Sequence, residues 1–265
     1  MWWPRPLIGP APDTPVIMKA RDLPGWYNVT LVCLVGFFWL CAYVLAIRRA
    51  RVDKRSGLPV IAVGLDVAWE FSYSLIVFQA PDQRPFDFAW FLLDLIIMRQ
   101  ALRYGPKDYP ALSRLEFRKL FFAILGFSLI LLPAVTIEIN DYYGGYTGFG
   151  ANCFVSLAFI LMLQRRGSSA GQSMYIALSK LIGSVAAMIL TISQFPHSRL
   201  FPVLCLTTFV LDVTYATMLH RQIRAEGASP WAFNRPPVTV RVPGASDPAP
   251  PLPAQPAPPV RVGGA

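Results

Sequence analysis

Four carboxylic acids interrupt otherwise apolar runs of this sequence, and their chemistry is the most informative feature of the chain. Asp66 and Glu70 lie in one run, Asp94 lies in a later one, and Asp212 lies in the last. Scales of membrane insertion assign a free-energy cost of about 2.5–3.5 kcal/mol to an Asp at the centre of a membrane helix. Such groups must therefore face a polar cavity or one another. Burial away from water favours the neutral form of a carboxyl group, which can then donate a proton.

Aromatic side chains recur at helical spacing around these acids. On the second run, a helix places four of these residues on one face: Asp66, Trp69, Glu70 and Tyr73. The same spacing groups Trp90 and Phe91 with Asp94 on the third run, and Tyr215 with Asp212 on the seventh. Aromatic faces stabilise a nearby cation by about 0.5–2 kcal/mol. A proton donor beside such faces favours cyclisation of a polyene, begun by protonation of an epoxide or an alkene.

The helices that hold these acids are long and apolar enough to cross a membrane. Of the 265 residues, 54% are hydrophobic and only 15% are charged. The runs predict an all-α, polytopic bundle of seven transmembrane helices, at about 26–47, 58–79, 86–103, 117–137, 143–164, 171–193 and 200–220. The composition excludes a secreted disulfide scaffold, a nucleic-acid-binding domain and a cytosolic enzyme, and it makes the lipid bilayer the expected surroundings.

Basic residues are concentrated in alternate loops, as in the segment from Arg48 to Arg55. The positive-inside rule therefore predicts an outside N-terminus and a cytoplasmic C-terminus. The net charge of +9 is explained by loops at an anionic membrane surface, without nucleic acid as a partner. We predict an extracytoplasmic or interfacial segment at 1–25, the helical domain at 26–222, and a disordered, proline-rich cytoplasmic tail at 223–265.

Two short motifs resemble a known family. The stretch DVAWEFSY (66–73), the mid-run acid of LDVTY (211–215), the predicted seven-helix topology and the chain length are similar to those of integral-membrane terpene cyclases. Those enzymes build fungal meroterpenoids and indole diterpenes, and their bacterial relatives cyclise prenylated indoles. The family requires a Glu of its second span and an Asp of its last span for protonation. By position, these match Glu70 and Asp212.

The resemblance implies an isomerase- or lyase-type carbocyclisation of an isoprenoid chain carried by an indole or another aromatic group. We expect Glu70 and Asp212 to face one shared apolar cavity, where one carboxyl group donates the proton and the other orients the donor by a hydrogen bond. The spacing leaves open which of the two is the donor. The remaining predicted residues are expected to bind the folded substrate: Asp66, Trp69, Tyr73, Trp90, Phe91, Asp94 and Tyr215.

The sequence contains neither a DDxxD nor a DxDD motif. We therefore expect a metal-independent reaction without a cofactor. The high content of proline and arginine in the chain favours a bacterial cytoplasmic membrane, and hence a prenylated indole substrate.

Three other functions are compatible with a membrane protein of seven helices. A retinal protein requires a lysine in its last helix, whereas Lys180 lies in the sixth run, from whose predicted cytoplasmic end it is expected to reach towards water. A proton-coupled transporter of small solutes remains an alternative, because buried acids also form proton relays. A carotenoid cyclase differs from the proposed enzyme only in its substrate.

Overall fold

Seven long helices dominate the part of the chain that the computed structural model describes, residues 20–77 and 79–238. They are α1 (Gly25–Asp53), α2 (Val60–Phe71), α3 (Arg84–Tyr104), α4 (Arg114–Ile139), α5 (Gly145–Arg166), α6 (Met174–Gln194) and α7 (Leu200–Ala225). The predicted all-α fold with seven helices is confirmed. Most of the predicted N-terminal segment and most of the predicted tail lie outside the described residues.

Five of these helices (α1, α4, α5, α6 and α7) are long and apolar enough to cross a membrane by length and composition. Helix α2 has only 12 α-helical residues, and α3 carries charged residues along its length. Large apolar side chains face outwards on α4, where Phe127 is 64% exposed and Ile130 is 74% exposed. A lipid environment explains such faces, because they would be unfavourable in water.

Local sequence explains where several helices begin and end. Ser113 and Glu116 form a reciprocal capping box at the start of α4, and the Ser173 hydroxyl accepts a hydrogen bond from the Ile176 N–H at the start of α6. Helix α5 ends at Gly167, whose φ of 56° lies in the left-handed region that glycine adopts without strain.

Six helices form a closed ring in the order α1, α3, α2, α5, α7 and α6, and α4 packs outside this ring, mainly against α2. Because the helices run alternately up and down, the bundle has two distinct ends. We call one the basic end, which contains the loop from Lys54 to Pro59. We call the other the mouth end, which contains the start of α1 and the opening of a cavity. The assignment of the basic end to the cytoplasm stays a prediction from the positive-inside rule.

A π-helical turn, Ser72–Ile76, continues α2 towards the mouth end. Tyr73 is the second residue of this turn, and its ring centroid lies 4.6 Å from that of Trp69. The Ser72 hydroxyl donates a hydrogen bond to the Ala68 carbonyl, 2.7 Å away, within this junction. Such turns are frequent at functional sites.

The chain beyond α7 packs back onto the basic end. Helix α7 continues to Ala225, past the predicted tail boundary at 223, and the Arg235 guanidinium donates a hydrogen bond to the Gln172 carbonyl, 2.8 Å away. The Asp53 carboxylate accepts hydrogen bonds from the Arg49 guanidinium and from the Val238 N–H. These contacts fix residues 226–238 against the bundle.

Candidate active site

A cavity of about 440 Å³ lies between α1, α2, α3, α5 and α6 and extends from the mouth end into the middle of the bundle. This volume is within the range of about 300–1,000 Å³ that is usual for small-molecule sites. Its inner wall combines acids with large aromatic rings: Trp39, Tyr43, Asp66, Trp69, Glu70 and Trp90. Helices α4 and α7 contribute no residue to the described lining.

Glu70 has the geometry of a proton donor. Its side chain lies on α2, is 3% exposed and faces the cavity. The Tyr43 hydroxyl donates a hydrogen bond to Glu70 Oε1 over 2.7 Å, which fixes the carboxyl group. Among the described residues, Oε2 has no hydrogen-bond partner. One carboxyl oxygen is therefore held by the protein, while the other is buried at the cavity wall without such a partner.

Two further acids surround Glu70. Asp66 also lines the cavity, and Asp94 is fully buried on α3, close enough to Asp66 and Glu70 to interact electrostatically. In the described part of the chain, none of the three forms a salt bridge with a lysine or arginine. Because several unpaired negative charges cannot be buried together without a large penalty, this cluster favours neutral carboxylic acids.

The aromatic rings of the cavity form its apolar wall. The ring centroids of Trp39 and Trp90 are 6.5 Å apart, and those of Trp39 and Tyr43 are 6.0 Å apart. Trp69 lies against Tyr73 at 4.6 Å, and its indole N–H donates to the Thr147 hydroxyl over 3.2 Å. These faces are placed where they can stabilise a cation on a bound chain.

Four predicted binding residues do not line the cavity. One is Asp94, which is fully buried on α3, and the other three are aromatic. The Tyr73 hydroxyl is hydrogen-bonded to the Asp141 carbonyl at 2.8 Å, so this side chain connects the π-helical turn with the α4–α5 loop. Phe91 packs against Phe71, with ring centroids 5.6 Å apart. The Tyr215 hydroxyl donates a hydrogen bond to the Gln172 side chain at the basic end. Each of these aromatic residues has a packing role in the structure.

The structure does not place Asp212 in a cavity shared with Glu70. Asp212 lies on α7, which contributes nothing to the described lining, and its Oδ1 is 2.6 Å from the Lys180 ammonium. The expectation for Lys180 is also wrong. The residue is 3% exposed and does not reach the membrane surface, because Asp212 and the Ser156 hydroxyl, at 2.7 Å, hold the ammonium inside the bundle.

Sequence reasoning missed two inner-wall residues, Trp39 and Tyr43. They are four residues apart on α1, so they share one helical face, and that spacing was the available signal. Without an acid on the same helix, nothing distinguished this pair from ordinary packing. Only the packing of α1 against α3 and α6 shows that their face borders the cavity.

Polar groups surround the mouth of the cavity. The Asn28 side chain donates to Asp82 over 2.5 Å and accepts from Gln194 over 3.0 Å, and all three side chains line the opening. In the neighbouring α4–α5 loop, burial raises the pKa of the Asp141 carboxyl to about 6, although three hydrogen bonds from Tyr146 and Thr147 oppose this shift. The cavity thus has a polar opening and an apolar, acid-bearing interior.

Comparison with known proteins agrees with this architecture. The profile of a family described as Pyr4-like transmembrane terpene cyclases matches residues 24–225. The chain is 26% identical over 215 residues to the Pyr4-family terpene cyclase mfmH of Annulohypoxylon moriforme, which covers 75% of this chain and 89% of that relative. It is 27% identical to the terpene cyclase pyr4 of Aspergillus fumigatus over 225 residues, 79% of this chain and 92% of that relative.

A third relative, the terpene cyclase olcD of Penicillium canescens, is 30% identical over 167 residues, 61% of this chain and 67% of the relative. No solved structure matches the chain. These three relatives are fungal, so they give no support to the bacterial membrane suggested by the composition. The matched region includes all seven helices and the acids of the cavity. The chain therefore belongs to the Pyr4-like transmembrane terpene cyclases, a family of membrane-embedded enzymes.

Proposed function

We propose that this enzyme cyclises a prenylated aromatic compound, and that Glu70 starts the reaction by protonating a terminal epoxide oxygen or alkene. The observation that carries the proposal is the environment of the Glu70 carboxyl group. One oxygen accepts a hydrogen bond from Tyr43, the other has no hydrogen-bond partner among the described residues, and Glu70 lines an aromatic cavity between membrane helices. A general acid contributes about 10²–10⁴ in rate when it is held in this way.

The steps balance without an added reactant. The Glu70 proton passes to the epoxide oxygen or to an alkene carbon, and the electron pairs of successive double bonds form the new carbon–carbon bonds. The hydrogen bond from Tyr43 stabilises the resulting carboxylate, and the Trp39 and Trp90 faces stabilise the migrating positive charge. A proton then leaves the final cation and the carboxyl group is reprotonated, so substrate and product are isomers.

The two regions of the cavity suggest how the substrate is oriented. The apolar chain enters the bundle with its terminal end next to Glu70, because that is where the acids and aromatic rings lie. Its aromatic head, an indole or a comparable ring, remains at the mouth near Asn28, Asp82 and Gln194, whose polar atoms can form hydrogen bonds. This arrangement keeps the reacting double bonds away from water.

Conversion of defined substrates tests the proposal. Purified enzyme in detergent is incubated with farnesylated and geranylgeranylated indoles, with and without a terminal epoxide, and products are followed by mass spectrometry. Glu70→Gln should lower turnover at least about 100-fold, because an amide cannot donate the starting proton. Glu138→Gln, which changes an exposed residue of α4, is the matched control. Wild-type turnover by the folded Glu70→Gln variant would disprove the assignment.

The transporter alternative predicts a different measurement. A transporter moves solute across sealed vesicles and leaves it chemically unchanged, whereas a cyclase converts its substrate in detergent, where there is no compartment to cross. Solute accumulation in proteoliposomes, with no product in either preparation, would support transport and contradict the proposed function.

A further inference from the structure

Lys180 is a buried cation whose position the proposed mechanism does not explain. Its ammonium group lies between α5, α6 and α7, hydrogen-bonded to Ser156 on one side and ion-paired with Asp212 on another. Its side chain is 4% exposed and that of Asp212 is 2% exposed. Burying such a pair is unfavourable unless the two charges remain together, so each residue constrains the charge of the other.

The ammonium group also lies beside the acid-bearing cavity. It is 5.5 Å from the ring centroid of Trp39, which lines the cavity, and it interacts electrostatically with Asp66 on α2. Trp39 packs against Tyr43, whose hydroxyl donates to Glu70. An unbalanced positive charge at Lys180 would therefore act on the acids of the cavity through a medium that screens charges weakly.

The role of Asp212 at this position follows from the balance between its charge and that of Lys180. With Asp212 present, the charge of Lys180 is balanced within the ion pair, which offsets its effect on Asp66. Without the Asp212 charge, the ammonium is left to stabilise the ionised form of Asp66, an acid of the neighbouring cluster with which it interacts. A charged Asp66 then makes a second negative charge on Glu70 costly, so Glu70 gives up its proton less readily.

We infer that Asp212 is a positioning residue: it balances the charge of Lys180 and thereby keeps Asp66 neutral, so that Glu70 can release its proton. This inference rests on the proposed function, in which Glu70 is the donor. It assigns Asp212 a role through Lys180, without contact with the substrate, and it explains why an acid of α7 can matter although α7 does not line the cavity.

A charge-rescue experiment separates this role from proton donation. Asp212→Asn should lower turnover about 100-fold, comparable to loss of a general acid. The double variant Asp212→Asn/Lys180→Met removes both charges, so the cavity acids keep their protons and turnover should recover to within about tenfold of the wild-type rate. If Asp212 were itself the donor, the double variant would be as inactive as Asp212→Asn.

Two further variants complete the test. Lys180→Met alone should be more active than Asp212→Asn, because it leaves no cation to ionise the cluster. Ser156→Ala removes a neutral hydrogen-bond partner of the same ammonium and should therefore reduce turnover much less than Asp212→Asn. Thermal unfolding and size-exclusion chromatography in detergent verify folding. If Asp212→Asn does not fold, the turnover of the folded double variant still tests the inference. An active double variant supports the inference, and an inactive one overturns it.

The two hypotheses fail in distinguishable ways. If the wild-type enzyme converts none of the prenylated substrates, or if Glu70→Gln keeps full activity, the proposed function is wrong. If the wild-type enzyme is active, Glu70→Gln is inactive and the double variant is inactive, only the role assigned to Asp212 is wrong.

Discussion

At the scale of single residues, the site depends on how one carboxyl group is held. Glu70 Oε1 accepts a hydrogen bond from Tyr43, and Oε2 has no partner among the described residues. A hydrogen bond that strengthens when its acceptor becomes charged stabilises the state after proton transfer more than the state before it. Tyr43 is therefore expected to affect the chemical step more than substrate binding.

Replacement of Tyr43 by Phe tests this expectation. Hydrogen bonds to charged groups contribute about 1.5–3 kcal/mol, so Tyr43→Phe should lower the single-turnover rate at least about tenfold with little change in KM. Tyr27→Phe is the matched control, because Tyr27 is also on α1 and its hydroxyl is hydrogen-bonded to the neutral Ser193 hydroxyl, at 3.2 Å. Equal rates in the two variants would contradict a role for Tyr43.

The aromatic wall gives a second residue-scale prediction. Trp90 is 6% exposed, lines the cavity, and has an indole N–H without a partner among the described residues. Trp90→Leu keeps an apolar side chain and removes the aromatic face, so turnover should fall about 2- to 30-fold and partly cyclised products should increase. Trp231→Leu, at an exposed position near the basic end, should leave the product distribution measured by mass spectrometry unchanged.

At the scale of helices and loops, the α4–α5 loop positions the mouth-end part of α2. Gly144 has a φ of 69°, and a Cβ atom there would lie 2.7 Å from Trp69 Cζ2. The Thr147 hydroxyl, one turn further along, accepts the Trp69 indole N–H. A glycine is therefore required both for the backbone conformation and for the close approach of the ring.

Gly144→Ala should destabilise this junction. We expect a loss of about 1–3 kcal/mol in unfolding free energy, seen as a lower Tm in detergent, together with a raised KM because Trp69 is displaced from the cavity wall. Gly126→Ala is the matched control, since a Cβ atom at this position in α4 meets nothing within 4 Å. Alanine is favoured over glycine in a helix by about 1 kcal/mol, so this control should not lower the Tm.

At the scale of the whole molecule, the two ends of the bundle have different roles. The mouth end opens into the cavity, whereas the basic end is closed by ion pairs and by the segment at 226–238. Asp108 is paired there with Arg166 at 2.5 Å and with Arg55 at 3.1 Å. The described cavity reaches the acids from the mouth end.

Truncation of the chain tests the role of the closing segment. A chain ending at Gly227 loses the contacts of Arg235 with Gln172 and of Val238 with Asp53, so its Tm should fall by several degrees. A chain ending at Val238 keeps these contacts, and we expect its Tm to match that of the full chain. If the chain ending at Val238 had the same lowered Tm as the chain ending at Gly227, the closing segment would have no stabilising role.

Some residues of the candidate site could be identified from the sequence, and others could not. Asp66, Trp69 and Glu70 follow helical spacing within one run, and the structure places all three on the cavity wall. Tyr73 has the same spacing and packs against Trp69, but its hydroxyl donates to the Asp141 carbonyl and it does not line the cavity. Periodicity is a local property and identified the first three; a contact between Tyr73 and the α4–α5 loop has no comparable signal in the sequence.

The sequence by itself determined that seven helices form and that buried acids lie among aromatic residues, because hydrophobic run length and helical spacing depend only on neighbouring residues. The tertiary structure decided which acids share a cavity. Asp212 and Glu70 are similar in sequence context, yet α7 packs outside the cavity and turns Asp212 towards Lys180. Ion pairing between helices depends on contacts across the bundle, which no local pattern specifies.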